Sequence, residues 1–230
     1  MGRCRLHWRV IFLWEAFLIV SSALRWSLRG LGAVVLAYGV YWAVLMAGGN
    51  FHAVVPGQVY RAAQPSAKDI AAYQQSYGIR SIINLRGASA GRAWYEDEVA
   101  EAAKRGIVHI DFRMSSSKLQ SPERMEKLIA LLKDAPKPLL IHCAWGADRT
   151  GLASALYLAD VGKAPEAQAE GQLSIAFGHF ALPFLSRAYP MDESFEQMED
   201  RFGYPKSVWD HITSIGTTGE DAAGVAPLAG

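Results

Sequence analysis

Cysteine is nearly absent: among 230 residues there are two, Cys4 and Cys143. One precedes a long apolar region and the other lies far beyond it, so no disulfide framework can staple this fold. With no resolving thiol near Cys143, a thiol–disulfide exchange role is weak. Excess charge of either sign is missing too. Lys and Arg together number 23 and Asp and Glu 22, and this balance gives no global field for nucleic acid, so no nucleic-acid partner is expected. His52, His109, His179 and His211 are scattered without the spacing of metal ligands, so no metal site is expected. No internal repeat is present.

A local absence is more informative. No Lys or Arg occurs between Leu31 and Tyr60, and residues 31–49, LGAVVLAYGVYWAVLMAGG, carry no charge. As a helix this run is about 28 Å long, close to the ~30 Å hydrocarbon core of a bilayer. An earlier apolar run, residues 10–24, is shorter and carries Glu15. It reads as an interfacial or partly buried helix, with a second span as the weaker alternative. A cleaved signal peptide is the rival reading, because Arg3, Arg5 and Arg9 precede the first run. The second run is too long for a signal peptide's apolar core, and no clean small-residue cleavage site follows, so an uncleaved anchor is expected. Arg3, Arg5, Arg9, Arg25 and Arg29 all precede Leu31. The positive-inside rule then predicts a cytoplasmic N-terminus, a single pass, and an extracytoplasmic or periplasmic remainder.

The organisation that follows is an anchor region at residues 1–49, with its span at about 31–49. A folded domain at 50–213 and a Gly-, Ala- and Thr-rich tail at 214–230 complete it. In the domain, β-rich segments at 54–61, 81–85, 108–113 and 139–142 alternate with helical ones. Ser66 and Asp69 open a helix running to Tyr77. A helix at 95–105 carries Glu96, Asp97 and Glu98 early and Lys104 and Arg105 late, in keeping with the helix dipole. Ser121 and Pro122 cap a third helix. Further helices are predicted at 150–161, 165–177 and 192–202. Alternating strands and helices predict an α/β domain with a central, mostly parallel sheet flanked by helices, preceded by a transmembrane helix. Phe177, Phe180 and Phe184 are expected in the core or facing a membrane.

The chemistry concentrates in LLIHCAWGADRTGLASAL, residues 139–156. It reads as a strand, a short loop and a helix, with Cys143 at the strand end and Arg149 at the start of the helix. Loop residues Cys143, Ala144, Trp145, Gly146, Ala147, Asp148 and Arg149 can turn their N–H groups onto a phosphate dianion, helped by the helix dipole. The same field favours a Cys143 thiolate, a nucleophile competent at neutral pH. Arg149 offers a planar fork for two phosphate oxygens, and Thr150 can hydrogen-bond the sulfur. His142 is expected to bond loop carbonyls and fix the cysteine.

HCAWGADRTG resembles the H-C-x5-R-[ST] signature of protein tyrosine and dual-specificity phosphatases. VYRAAQPS at 59–66 and SIINLRG at 81–87 resemble the early strands of bacterial dual-specificity-like members. The likeness covers roughly residues 51–202. It implies phosphomonoester hydrolysis through a phosphocysteine, with no metal or other cofactor. It also implies a general acid. Asp111 lies upstream at about the dual-specificity spacing, whereas Asp148 stands directly before the loop arginine, as in some lipid-phosphatase and bacterial branches. Both remain candidates. Related loops that take inositol polyphosphates often carry Lys between Cys and Arg; here Ala144, Trp145 and Ala147 stand instead, which argues against a highly phosphorylated headgroup, and Trp145 offers an apolar wall or a packing surface. The expected partner is a phosphorylated protein or a phospholipid at a membrane: phosphotyrosine, phosphoserine or phosphothreonine first. A lipid phosphate such as phosphatidylglycerophosphate, a phosphoinositide or a lipid A phosphate is the alternative. A non-catalytic phosphate-binding module and a rhodanese-type sulfur carrier are weaker readings. Arg61 and Arg86 can add positive potential, although such arginines more often pair with acids at strand ends. Trp94 and Lys118 fall in loops that can border the pocket.

Overall fold

The structure is a computed structural model that describes residues 4–183 and 185–205. Phe184 and the tail at 214–230 lie outside the described residues. The chain divides into two compact units, Met1–Ala47 and Gly48–Gly230.

The first unit is one helix, α1, Cys4–Ala47. The two apolar runs that Arg25–Gly30 separates in sequence therefore belong to one continuous element, because nothing between them breaks a helix. Trp26, Arg29 and Gly30 are all tolerated inside one, and the Arg29 guanidinium sits over the Trp26 ring at 5.2 Å. Within α1 the 23 residues Arg25–Ala47 are long and apolar enough to cross a membrane. The stretch begins six residues earlier than the predicted span and ends two residues short of it. Length and composition alone fit an anchor and a signal sequence alike.

The second unit is an α/β domain around a five-stranded sheet in the order β1-β2-β5-β3-β4. Its strands are β1 His52–Val55, β2 Val59–Ala62, β3 Ser81–Asn84, β4 Val108–Asp111 and β5 Leu139–His142. β1 pairs antiparallel with β2, and all the other pairs are parallel. The segment predicted as one β-rich run at 54–61 is thus the turn of a hairpin. Pro56 and Gly57, the latter at φ +74°, reverse the chain where Gln58 N–H donates to Val55 O.

Seven further helices surround the sheet: α2 Ala67–Tyr77, α3 Ala93–Lys104, α4 Pro122–Asp134, α5 Asp148–Asp160, α6 Glu166–Glu170, α7 Pro190–Glu196 and α8 Glu199–Phe202. Ser66 and Asp69 form a reciprocal capping box on α2, and Ser121 caps α4 with Pro122 in its first turn. The helix predicted at 165–177 stops after Glu170 and gives way to a 3-10 turn at Ile175–Phe177. The one predicted at 192–202 is divided into α7 and α8.

Every residue of β2, β3 and β5 is buried, as strands covered on both faces require. Alternation then sorts the side chains. Ile82 and Leu140 pack with Ile70, Ala102 and Ile107 on the α2–α3 side. Ile83, Leu139 and Ile141 pack with Met125, Leu128, Leu132, Leu152 and Phe195 on the α4–α5 side. Parallel register brings Ala62, His142, Asn84 and Asp111 to the same level at the carboxyl ends of four adjacent strands. Ligands bind at that edge in open α/β sheets.

Candidate active site

Cys143 follows the last residue of β5 and is 2% exposed. The loop from it to α5 is shaped by what its carbonyls touch. Ala144 O accepts from Gln64 N–H at 3.3 Å, and Trp145 O from Asn50 Nδ2 at 2.9 Å. Gly146 O and Ala147 O both accept from Arg61 Nη2, at 2.8 and 3.3 Å. Four consecutive carbonyls are therefore held outward. A trans peptide sets each following N–H opposite its carbonyl, so those of Trp145, Gly146, Ala147 and Asp148 turn to the inner side of the loop. Gly146 sits at φ +69°, and a Cβ there would lie 2.6 Å from Ala63 N, so the close approach to β2 requires glycine.

Arg61 holds the loop through contacts that the sequence did not expose. It is fully buried on β2, and among the described residues it pairs with no acid. Its Nη1 donates to Gln172 O and Oε1 at 2.8 and 2.9 Å, and its guanidinium lies 4.0 Å from the centre of the Phe177 ring. Burial lowers its pKa to about 9, against the opposing pull of Cys143. A strand-end arginine following Tyr60 gives little local signal, because all its partners are distant in sequence.

Arg149 occupies the first turn of α5. Its Nη1 makes only long bonds, 3.5 Å to Leu85 O and 3.4 Å to Met114 O, and its Nε is buried without a hydrogen-bond partner. Thr150 Oγ1 is buried without one as well. Buried donors left unsatisfied are costly, and here both lie in the first turn of α5, directly after the loop that Cys143 opens.

His142 was expected to bond loop carbonyls. Its Nε2 instead meets Glu98 Oε1 at 2.9 Å, while Nδ1 is buried with no partner. The same Glu98 oxygen meets His109 Nε2 at 2.7 Å, and Gln64 Nε2 donates to Oε2 at 2.5 Å. Burial pushes the Glu98 pKa up, but these bonds outweigh it and hold it down at about 2. The sequence placed Glu98 among the acids of a helix dipole. Its shared face with the buried Ala102, four residues on, is the one signal that marks it as inward-facing.

The two candidate acids stand in different surroundings. Asp111, exposed at the end of β4, accepts from Asn84 Nδ2 at 2.8 Å and from Tyr95 Oη at 2.5 Å. That bond to Asp111 raises the Tyr95 phenol to about 12. Asp148, the first residue of α5, has Oδ1 2.8 Å from His179 Nδ1, and His179 Nε2 lies 3.0 Å from Asp192 Oδ2. Burial works to lower the His179 pKa, but the two carboxylates prevail and raise it to about 9. His179 is accordingly an imidazolium between two anions. Read as an ordinary polar residue in the sequence, it ties the start of α5 to α7.

At the rim, Trp145 is 57% exposed. Arg86 donates to Gln64 Oε1 at 2.7 Å and lies 3.4 Å over the Trp94 ring. Lys118 is exposed in the loop before α4. Among the described residues, Glu166, Glu170 and Glu199 bring carboxylate oxygens within 4.8 Å of one another. They lie on α6 and α8 and include none of the loop residues.

Residues 46–170, more than half of the chain, match the family model described as the tyrosine phosphatase family. The chain belongs to that family. No curated protein matches it. Among solved structures, this tyrosine phosphatase family member is similar to the DUF442 protein of Shewanella putrefaciens CN-32, at 17% identity and a TM-score of 0.52, covering 67% of this chain and 91% of that one. PTPMT1 is similar at 15% identity and a TM-score of 0.51, over 66% and 98% of the two chains. The catalytic core of the Saccharomyces cerevisiae PP-IP phosphatase SIW14 matches at 20% identity and a TM-score of 0.49, over 73% and 92%. At these identities the likeness to the first two establishes a shared fold, and family and fold together support a phosphatase.

Proposed function

We propose that the chain is a cysteine-dependent phosphomonoesterase, with Cys143 as nucleophile. The observation that carries this reading is the ring of outward-held carbonyls at 144–147, next to a buried thiol and an under-satisfied Arg149. In the first step the Cys143 thiolate attacks phosphorus in line, and the inward N–H groups and Arg149 hold the equatorial oxygens. The P–O bond to the leaving group breaks, and a carboxylic acid protonates the departing oxygen. Asp111 is the better candidate, since the Asp148 carboxylate is engaged by the His179 imidazolium. In the second step water attacks the phosphocysteine, Asp111 takes its proton, and Thr150 donates to the departing sulfur. Arg61 holds the loop and adds positive charge behind it.

Phosphotyrosine, phosphoserine and phosphothreonine proteins are the family's commonest substrates. A membrane lipid phosphate is the second reading, favoured by the apolar 23-residue stretch of α1. The charge asymmetry of the sequence supports an extracytoplasmic domain, which a reporter fused after Gly230 would contradict if it proved cytoplasmic.

The decisive assay is aryl phosphate hydrolysis by purified protein. Cys143→Ser abolishes turnover and leaves phosphate-analogue binding in place. Surviving turnover would refute the mechanism, and inactive wild type with tight binding would indicate a non-catalytic phosphate-binding module. Asp111→Asn slows esters with poor leaving groups by about 10²-fold or more, well beyond the effect of Asp148→Asn. The reverse order would transfer the acid role to Asp148.

A further inference from the structure

Arg86 follows Leu85, whose carbonyl accepts from Arg149, so two arginines flank one backbone position at the edge of the loop. Arg86 has no carboxylate partner among the described residues. The acid closest to it electrostatically, Glu98, has both oxygens committed, one to His109 and His142 and the other to Gln64. Two uncharged contacts fix the guanidinium instead: the Gln64 Oε1 bond and the face of Trp94. Gln64 is itself held by Glu98 and, through its backbone N–H, by Ala144 of the loop. Burial and the like charge of Arg149 and Arg92 act against Arg86, which also senses Cys143.

A like-charge arrangement of this kind is unfavourable by itself and is offset by anions placed between the charges. A phosphate at Cys143 engages Arg149 and the loop N–H groups. Between Cys143 and Arg149 the loop supplies no other cation, so a second anionic group must be met from outside it. The Arg86 fork, flat on Trp94, is pre-organised to take two oxygens. It also covers one face of the indole, which removes that face as a stacking platform for a substrate ring.

We infer that Arg86, held by Gln64 and Trp94, docks a second phosphate, so that the substrate is a polyol carrying a phosphomonoester and a further phosphate a few bonds away. The second group is either a free phosphate or the phosphodiester of a lipid headgroup. This rests on the phosphatase reading above and specifies its substrate.

The test compares kcat/KM of the full chain in detergent on propane-1,3-diol bisphosphate, propanol phosphate, a phosphotyrosine peptide and phosphatidylglycerophosphate micelles. Wild type prefers the bisphosphate over the monophosphate by about tenfold or more, a factor in line with one charge-assisted bond. Arg86→Gln reduces that preference to within about twofold, chiefly through KM. A measurement on wild type alone guards against a misfolded variant: propane-1,3-diyl bisphosphonate inhibits aryl phosphate hydrolysis about tenfold more strongly than propyl phosphonate. Better turnover of the micellar lipid than of the free bisphosphate identifies the lipid as source and the converse a soluble compound; either supports the proposal. It is overturned if wild type shows no preference, if the phosphopeptide is the best substrate, or if Arg86→Gln lowers both alcohol phosphates equally. Failure of the phosphatase reading looks different, since wild type would then hydrolyse none of the four.

Discussion

Glu98 and His179 are opposite cases of one device, a buried charge satisfied by partners from remote parts of the chain. Each gives stability a pH limb with a definite sign. The Glu98 pKa falls from an ordinary 4.5 to about 2. Its contribution is therefore complete above about 4.5 and is lost as pH falls from there through about 2. The His179 pKa rises from 6.5 to about 9, so its contribution is complete below about 6.5 and is lost as pH climbs through about 9. Urea midpoints measured from pH 2 to pH 10 should show both limbs. Glu98→Gln should flatten the acid limb and cost about 3 kcal/mol at neutrality, because it removes an acceptor that several buried partners share. His179→Gln should flatten only the alkaline limb. A variant that leaves its own limb intact would show that the titrating group is another. These two residues were illegible in sequence for a shared reason. Cys143, Arg149 and Thr150 lie within one loop and one helical turn, so their spacing is itself the geometry. The partners of Glu98 are 11, 34 and 44 residues away, and no local pattern encodes them.

Among the elements, β2 and the Cys143 loop depend on each other. Arg61 gives one nitrogen to two loop carbonyls and the other to Gln172, and Gly146 lets the loop rest on the backbone of β2. Arg61→Met keeps the volume and removes a desolvated charge, so the domain should remain folded. The loop carbonyls would then lose their donor. Aryl phosphate turnover should fall at least about tenfold, and iodoacetamide should alkylate Cys143 more slowly at neutral pH. Unchanged alkylation with lost turnover would restrict Arg61 to shaping the loop. Helix and strand positions were otherwise legible wherever caps marked them, as at Ser66 and Ser121. The sequence erred where turns interrupt continuous periodicity: at Pro56–Gly57 within a β-rich run, at Gly171, and at Gln197 and Met198 between α7 and α8.

For the molecule as a whole, the domain class was readable from alternating strands and helices, but the extent of α1 was not. Charged residues at 25–30 suggested a boundary that a continuous helix ignores, since arginine is a good helix former and isolated glycines weaken a helix without ending it. An uncleaved anchor makes a simple prediction. Protein recovered from membranes should resist alkaline carbonate extraction and retain the residues that precede Arg25 by mass spectrometry. A mature form beginning after residue 24 would convert the segment to a signal sequence.

Cys143 is a free thiol, and the only cysteine in its unit of the fold. A peroxide that oxidises it to the sulfenic acid finds no second thiol within that unit with which to close a protective disulfide. Recovery falls to small-molecule thiols, and any delay exposes the sulfur to irreversible further oxidation. On the mechanism proposed above, Cys143 is thereby also the point at which oxidative stress would switch the protein off, with no second thiol in its unit to reset it.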